Sequence, residues 1–219
     1  MKIMIQNNLQ KKECYLAIGL DLLIIIFGII GTVWEIYENG WGMLAYYTVD
    51  SNIFVSICCL LDMIFQVKSL KQKTAPVWVK NIKYMATCCM VVTFIVVIFI
   101  LAPMEGWRGL IKILFEGALL YQHFLCPILA IVSFVCIDSK QICIDRKMLQ
   151  AALIPTVIYA VISIILNVTK VMHGPYPFLY VYEQPFIMSV LWCILIITLA
   201  YVIALGLWKW NQKIKTKSS

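Results

Sequence analysis

Charge is the scarcest thing in this chain. Only 13% of its 219 residues are Asp, Glu, Lys or Arg and 63% are hydrophobic, whereas a soluble domain carries about 25% charged residues. That excludes a water-soluble globular body, and no soluble domain is left over. Histidine is nearly missing, at two residues, and the nine cysteines supply neither a C-x-x-C nor a Cys/His cluster at zinc spacing. Cys58–Cys59 and Cys88–Cys89 are adjacent pairs inside apolar runs, where cysteine acts as a small hydrophobe. No metal, cofactor or disulfide framework is expected. Repeats of fixed period and low-complexity tracts are also lacking, and the longest polar stretches are Lys68–Asn81, Asp138–Leu149 and the tail from Lys209.

What the chain has is apolar run length. Six segments reach the ~20 residues that a helix needs to cross a bilayer: Cys14–Trp34, Met43–Val67, Ile82–Pro103, Leu110–Ile137, Gln150–Val171 and Phe186–Trp208. The polar start Met1–Glu13 runs into the first with no small-x-small cleavage site, which predicts an uncleaved first helix. The expected fold is all-α: one integral membrane domain, an up-down bundle of six transmembrane helices. The outer loops Glu35–Gly42, Met104–Gly109 and Met172–Pro185 are short enough to make neighbours antiparallel. Fifteen of the 18 basic residues fall before the first span, in the loops Lys68–Asn81 and Asp138–Leu149 or close beside them, or in the tail; only Arg108, Lys112 and Lys170 lie on the other side. The positive-inside rule then predicts a cell-membrane protein with both termini cytoplasmic. The net charge of +7 is thus a topology signal and gives no reason to invoke nucleic acid.

Function is sought among polar residues inside the spans, because a charge at the bilayer centre costs ~2.5–3.5 kcal/mol on the most lenient scale. They are Asp21, Thr48, Asp50, Ser51, Asn52, Asp62, Glu116, His123 and Asn167. On a helix Thr48, Ser51 and Asn52 share a face, and Asp50 points ~160–200° away from Thr48. Glu116 and His123 are two turns apart in the fourth span, ~10 Å along the axis, so Glu116 reaches the imidazole only through water. Pro127 has no N–H to offer the His123 carbonyl four residues earlier, which predicts distorted backbone there.

A hydroxyl brought to an imidazole makes a nucleophile and its general base, and histidine, with an ordinary pKa of ~6.5, accepts a proton at neutral pH. Ser51, Asn52 or a kink-freed N–H could then hold an oxyanion. The plainer use of the same residues is hydrogen bonding between helices, with a satisfied core histidine. Depth does not choose between them. Thr48 lies ~8 Å below the predicted edge of its span and His123 ~20 Å below Leu110, at 1.5 Å per residue. The last outer loop, His173–Tyr182, is aromatic and proline-rich. It reads equally as an interfacial anchor and as a cap over a cavity opening outward.

Three pieces occur in order: Tyr47-Thr48-Val49-Asp50-Ser51-Asn52, His123-Phe124-Leu125-Cys126-Pro127 and Gly174-Pro175-Tyr176-Pro177-Phe178-Leu179. Their order and placement resemble the androgen-induced-gene family of multipass membrane proteins and its bacterial relatives, over about Trp41 to Pro185. Animal members are threonine hydrolases that cleave fatty-acid esters of hydroxy fatty acids. The resemblance implies a lipid-ester hydrolase needing no cofactor, drawing its substrate from membrane lipids. Thr48 would be the nucleophile and His123 the base, with Ser51, Asn52, Asp50, Glu116, Tyr176 and Phe178 supporting them or binding substrate. The chain departs from the animal pattern at Ser51, which stands where an acidic residue is common, and in the tighter spacing of His123 and Pro127. The rival readings are a small transporter or lipid-binding protein, with Asp21, Asp50 and Glu116 as proton or cation sites, and a non-catalytic subunit. Cys14–Pro103 and Leu110–Trp208 carry no inverted repeat and no paired broken helices of the transporter kind.

Overall fold

Without water to bond to, backbone in a bilayer must satisfy itself, and a chain of apolar runs does so as helices. The computed structural model describes residues 2–69 and 76–218. Its helices are α1 (Lys2–Asn39), α2 (Tyr47–Ser69), α3 (Val77–Met104), α4 (Gly106–Phe115), α5 (Gly117–Gln141), α6 (Arg146–Val168) and α7 (Phe186–Ser218). All but α4 are long and apolar enough to span a membrane, so the chain is an all-α multi-pass membrane protein.

Helices α1, α2, α3 and α5 make the inner bundle, meeting at Ile24, Val55, Cys58, Cys59, Ala86, Met90, Cys126 and Ala130. Small side chains dominate that seam because close backbone approach is what holds helices together in lipid. Gly28 is part of it, since a Cβ there would collide with Ser56 Oγ on α2. Helix α7 lies outside, with Ala200 and Ala204 turned inward and Tyr84 of α3 donating to the Ala204 carbonyl at 2.9 Å.

Helix α1 continues past Trp34 to Asn39, α2 begins at Tyr47 rather than Met43 and α7 continues past Trp208 to Ser218; two further differences move charged residues. Helix α3 begins at Val77 rather than Ile82, which moves Lys80 and Lys83 out of the polar loop and into the bundle. Both are buried, at 5% and 2% exposure, because they have carboxylates to pair with. Lys83 Nζ lies 2.6 Å from Asp21, 3.0 Å from Asp62 and 3.1 Å from Asp138, and Lys80 Nζ lies 2.6 Å from Asp62. Asp138, also expected in a loop, is 4% exposed. Lys71 and Lys73, counted with the same loop, lie outside the described residues.

The expected fourth span, Leu110–Ile137, is broken. Glu116 is extended (φ −99°, ψ 129°) and Gly117 is left-handed (φ +55°), a conformation that favours glycine. Residues 106–115 therefore form the separate helix α4, which buries Leu114 and exposes Arg108, Ile111, Lys112 and Phe115. A basic and apolar outer face on a short helix beside the spans is the pattern of a helix lying along a membrane surface.

The His173–Tyr182 loop folds inward. Tyr176, Phe178 and Leu179 are buried against Val92 and Val96 of α3 and Ala200 of α7. Asn167, at the end of α6, pegs it by accepting from Val181 N–H at 3.2 Å and donating to the Met172 carbonyl at 3.4 Å. Gly174 is required there, because a Cβ would stand 2.7 Å from the Leu179 carbonyl oxygen. The loop is a cap.

Candidate active site

Thr48 sits in the first turn of α2, where a backbone N–H has no carbonyl four residues back. Tyr176 Oη, descending from the cap, supplies the acceptor at 3.3 Å and also lies 3.4 Å from Thr48 Oγ1. The helical face holds as expected: Thr48, Ser51 and Asn52 are buried and Asp50 is exposed. Ser51 Oγ donates to the Thr48 carbonyl at 3.0 Å and lies 3.0 Å from Thr93 Oγ1. Asn52 Nδ2 donates to the Thr48 carbonyl at 2.8 Å and to the Gln122 carbonyl at 3.2 Å.

That last bond follows from the backbone of α5. Residues Leu120–Leu125 are π-helical, and Cys126 N–H reaches Tyr121 O, five residues back. In this register the carbonyl that Pro127 leaves without a donor is that of Gln122, not of His123. Asn52 takes its place. The distortion expected from Pro127 is present, shifted by one residue, and π turns of this kind recur at functional sites.

His123 is 8% exposed, and its Nδ1 lies 2.8 Å from the Ile113 carbonyl of α4. A carbonyl only accepts, so Nδ1 carries the proton and Nε2 is left with its lone pair. The break at Glu116 also revises the depth. Counted from Gly117, His123 lies six residues into its span, ~9 Å instead of ~20 Å, and Thr48, one residue past the Tyr47 start of α2, lies ~2 Å instead of ~8 Å into its own.

Thr48 and His123 open on one cavity of about 510 Å³, which Tyr176, Gln122 and Glu35 also line. They do not hydrogen-bond to each other; the hydroxyl is held by Tyr176 and the imidazole by Ile113. Burial pushes the Tyr176 phenol up to about 12, so it stays protonated at any physiological pH. On its other side Tyr176 stacks on Phe178, with ring centroids 5.1 Å apart. Behind that pair is an apolar pocket of about 50 Å³, lined by Thr48, Val92, Val96, Phe178 and Trp192. Thr48 therefore stands between a polar cavity and an apolar one.

The other expected residues are placed differently. Asp50 faces a separate groove of about 320 Å³ with Tyr159 and Ser163. Glu116 is exposed at the α4–α5 break and does not line the His123 cavity, so the shared face expected for it and His123 does not exist. Ser51 and Asn52 have their donors committed to backbone and Thr93, which leaves them to brace the first turn of α2 and not to hold an oxyanion. Sequence reasoning passed over Gln122, which is 1% exposed, lines the cavity and has an Nε2 without a partner. The rule that picks out intramembrane Asn applies equally to Gln and would have found it. Glu35 escapes it as well, because hydropathy puts that residue at the start of the outer loop Glu35–Gly42.

Searches with the whole sequence and structure find no matching family profile, curated protein or solved structure.

If Tyr176 positions the nucleophile, Tyr176→Phe should lower kcat by about 10–100-fold, toward the low end of losing one preorganised donor. The shape of the pH–rate profile below pH 10 should not change, because the phenol does not titrate there. A profile that loses an alkaline limb in this variant would contradict the assignment.

Proposed function

We propose that this protein is a hydrolase of lipid esters acting within the membrane, with Thr48 as nucleophile and His123 as general base. The observation that carries the reading is that a buried hydroxyl and an imidazole whose Nδ1 is held by the Ile113 carbonyl open on the same cavity. Thr48 Oγ1 adds to the ester carbonyl while its proton passes to His123 Nε2. The tetrahedral oxyanion accepts hydrogen bonds from Gln122 Nε2 and Tyr176 Oη. Collapse breaks the bond to the alcohol, which leaves with the proton from His123, and the acyl group stays on Thr48. Water, deprotonated by the same Nε2, adds to the acyl-enzyme and releases the acid. Exclusion of bulk water strengthens the oxyanion bonds. The acyl carbons next to the carbonyl occupy the apolar pocket and the alcohol part the polar cavity. The transporter reading gains nothing from Asp21, which Lys83 already engages.

A fluorophosphonate probe tests the nucleophile directly: purified protein should be labelled, with the adduct on the peptide containing Thr48. Labelling elsewhere, or none, would contradict the reading.

The proposed orientation puts both termini in the cytoplasm of a cell-membrane protein. Burial of Lys80 and Lys83 removes them from the loop charge, yet the remaining basic residues keep the same asymmetry. Reporter fusions after Gly40, Gly106 and Gly174 should report the outside and fusions after Lys73 and Lys140 the inside. One reversal would break the topology.

A further inference from the structure

The cavity shared by Thr48 and His123 carries a charge pattern that ester hydrolysis leaves unused. Glu35, at the outer end of α1, is 5% exposed and lines it. Its Oε1 accepts from Asn39 Nδ2 at 3.0 Å. Glu105 lines the same cavity, and no Lys or Arg does so among the described residues. The nearest basic residues along the chain, Arg108 and Lys112, are exposed on α4 and lie outside the lining. Two aromatic rings complete the wall, Tyr46 and Tyr176, which meet edge to face with centroids 5.5 Å apart. Gln122 Nε2, buried without a partner, stands ready for a carbonyl oxygen in the same space.

Carboxylates in a tyrosine-lined wall favour a cation, since a carboxylate attracts it and an aromatic ring carries negative charge on its face. A free carboxylate in the same space would meet like charge with no ammonium or guanidinium to offset it, and such juxtaposition is strongly unfavourable. We propose that the alcohol part of the substrate ends in an ammonium group, that Glu35 is the residue selecting it, and that esters bearing a free carboxylate on the alcohol side are rejected. This rests on the hydrolase reading of the same site. It reverses the headgroup charge of the hydroxy-fatty-acid esters that the resemblance implies.

The test is binding to the Thr48→Ala protein in nanodiscs, where turnover is blocked, by displacement of a fluorescent acylcholine. Three probes share a palmitoyl chain: palmitoylcholine, 1-palmitoylglycerol and the palmitoyl ester of a hydroxy fatty acid. Palmitoylcholine should bind about tenfold or more tighter than the carboxylate ester, as expected for one desolvated cation–carboxylate and cation–π contact set. Adding Glu35→Gln should close that gap while leaving the glycerol ester unchanged, and Glu35→Asp should keep the preference. Equal binding of the choline and carboxylate probes overturns the proposal. So does a Glu35→Gln protein that weakens all three alike, because Glu35 then merely holds the cavity together. If the preference holds but the wild type hydrolyses none of the three, the hydrolase reading fails alone.

Discussion

Ester hydrolysis should fall by about 10⁴–10⁶-fold in Thr48→Ala and equally in His123→Ala, and the double variant should be no worse than either single, as for residues that act as one catalytic unit. The reason is geometric. On the proposed mechanism the Thr48 hydroxyl, a weak nucleophile alone, needs a base, and His123 Nε2 is the group that takes its proton. Removing either disables the same step. Thr48→Ser should retain activity, since the hydroxyl remains, though the freed χ1 of serine lowers it. Asp50→Asn and Glu116→Gln should leave the rate within a few-fold, because Asp50 opens on another groove and Glu116 lies outside the cavity. Rates on a lipid ester and probe labelling, measured on the same preparations, decide this. Undiminished turnover in Thr48→Ala would dispose of the nucleophile, and strictly additive losses would show that the two residues act separately.

The parts of this molecule that were legible in its sequence are those governed by local periodicity. Apolar run length gives the spans, and the 3.6-residue period separates Thr48, Ser51 and Asn52 from Asp50 without knowledge of any neighbour. What failed depends on single residues or on distant partners. The apolar stretch from Leu110 continues through Phe115 in composition, so hydropathy carries the span across Glu116; only its extended backbone and the left-handed Gly117 turn α4 away. That one break controls the site, since it sets the depth of His123 and brings the Ile113 carbonyl to its Nδ1. Lys80 and Lys83 count as loop charge in the sequence because a lysine near a span end ordinarily is. Their partners lie 18 to 62 residues away on α1, α2 and α5, where no sequence window reaches. Pro127 marks a disturbance in the sequence, but the π register that decides which carbonyl it orphans is a property of the folded helix.

Lys83→Met should lower stability by about 3–5 kcal/mol, the range for removing one partner of a buried ion pair and leaving charges uncompensated. Lys83 Nζ touches carboxylates from α1, α2 and α5 within 3.1 Å and holds Ser133 Oγ at 3.3 Å. Without it, the buried Asp21, Asp62 and Asp138 face one ammonium, that of Lys80. Asp21→Asn should behave differently. In the wild type three carboxylates stand against two ammoniums, and Asp21 pairs with Lys83 at 2.6 Å without an aligned hydrogen bond. Removing its charge leaves two against two, so the loss should be small. Placed in the Lys83→Met background, Asp21→Asn should recover part of the deficit, a non-additive result expected of residues in one network. Thermal unfolding in detergent, followed by size-exclusion recovery, measures all three variants. The network lies about fourteen residues along α2 from Thr48, ~21 Å at 1.5 Å per residue, so kcat per folded molecule should change little. An unfolding temperature in Lys83→Met equal to or above that of the wild type would show that these charges do not hold the helices together, and a selective loss of kcat without unfolding would assign them to the chemistry instead.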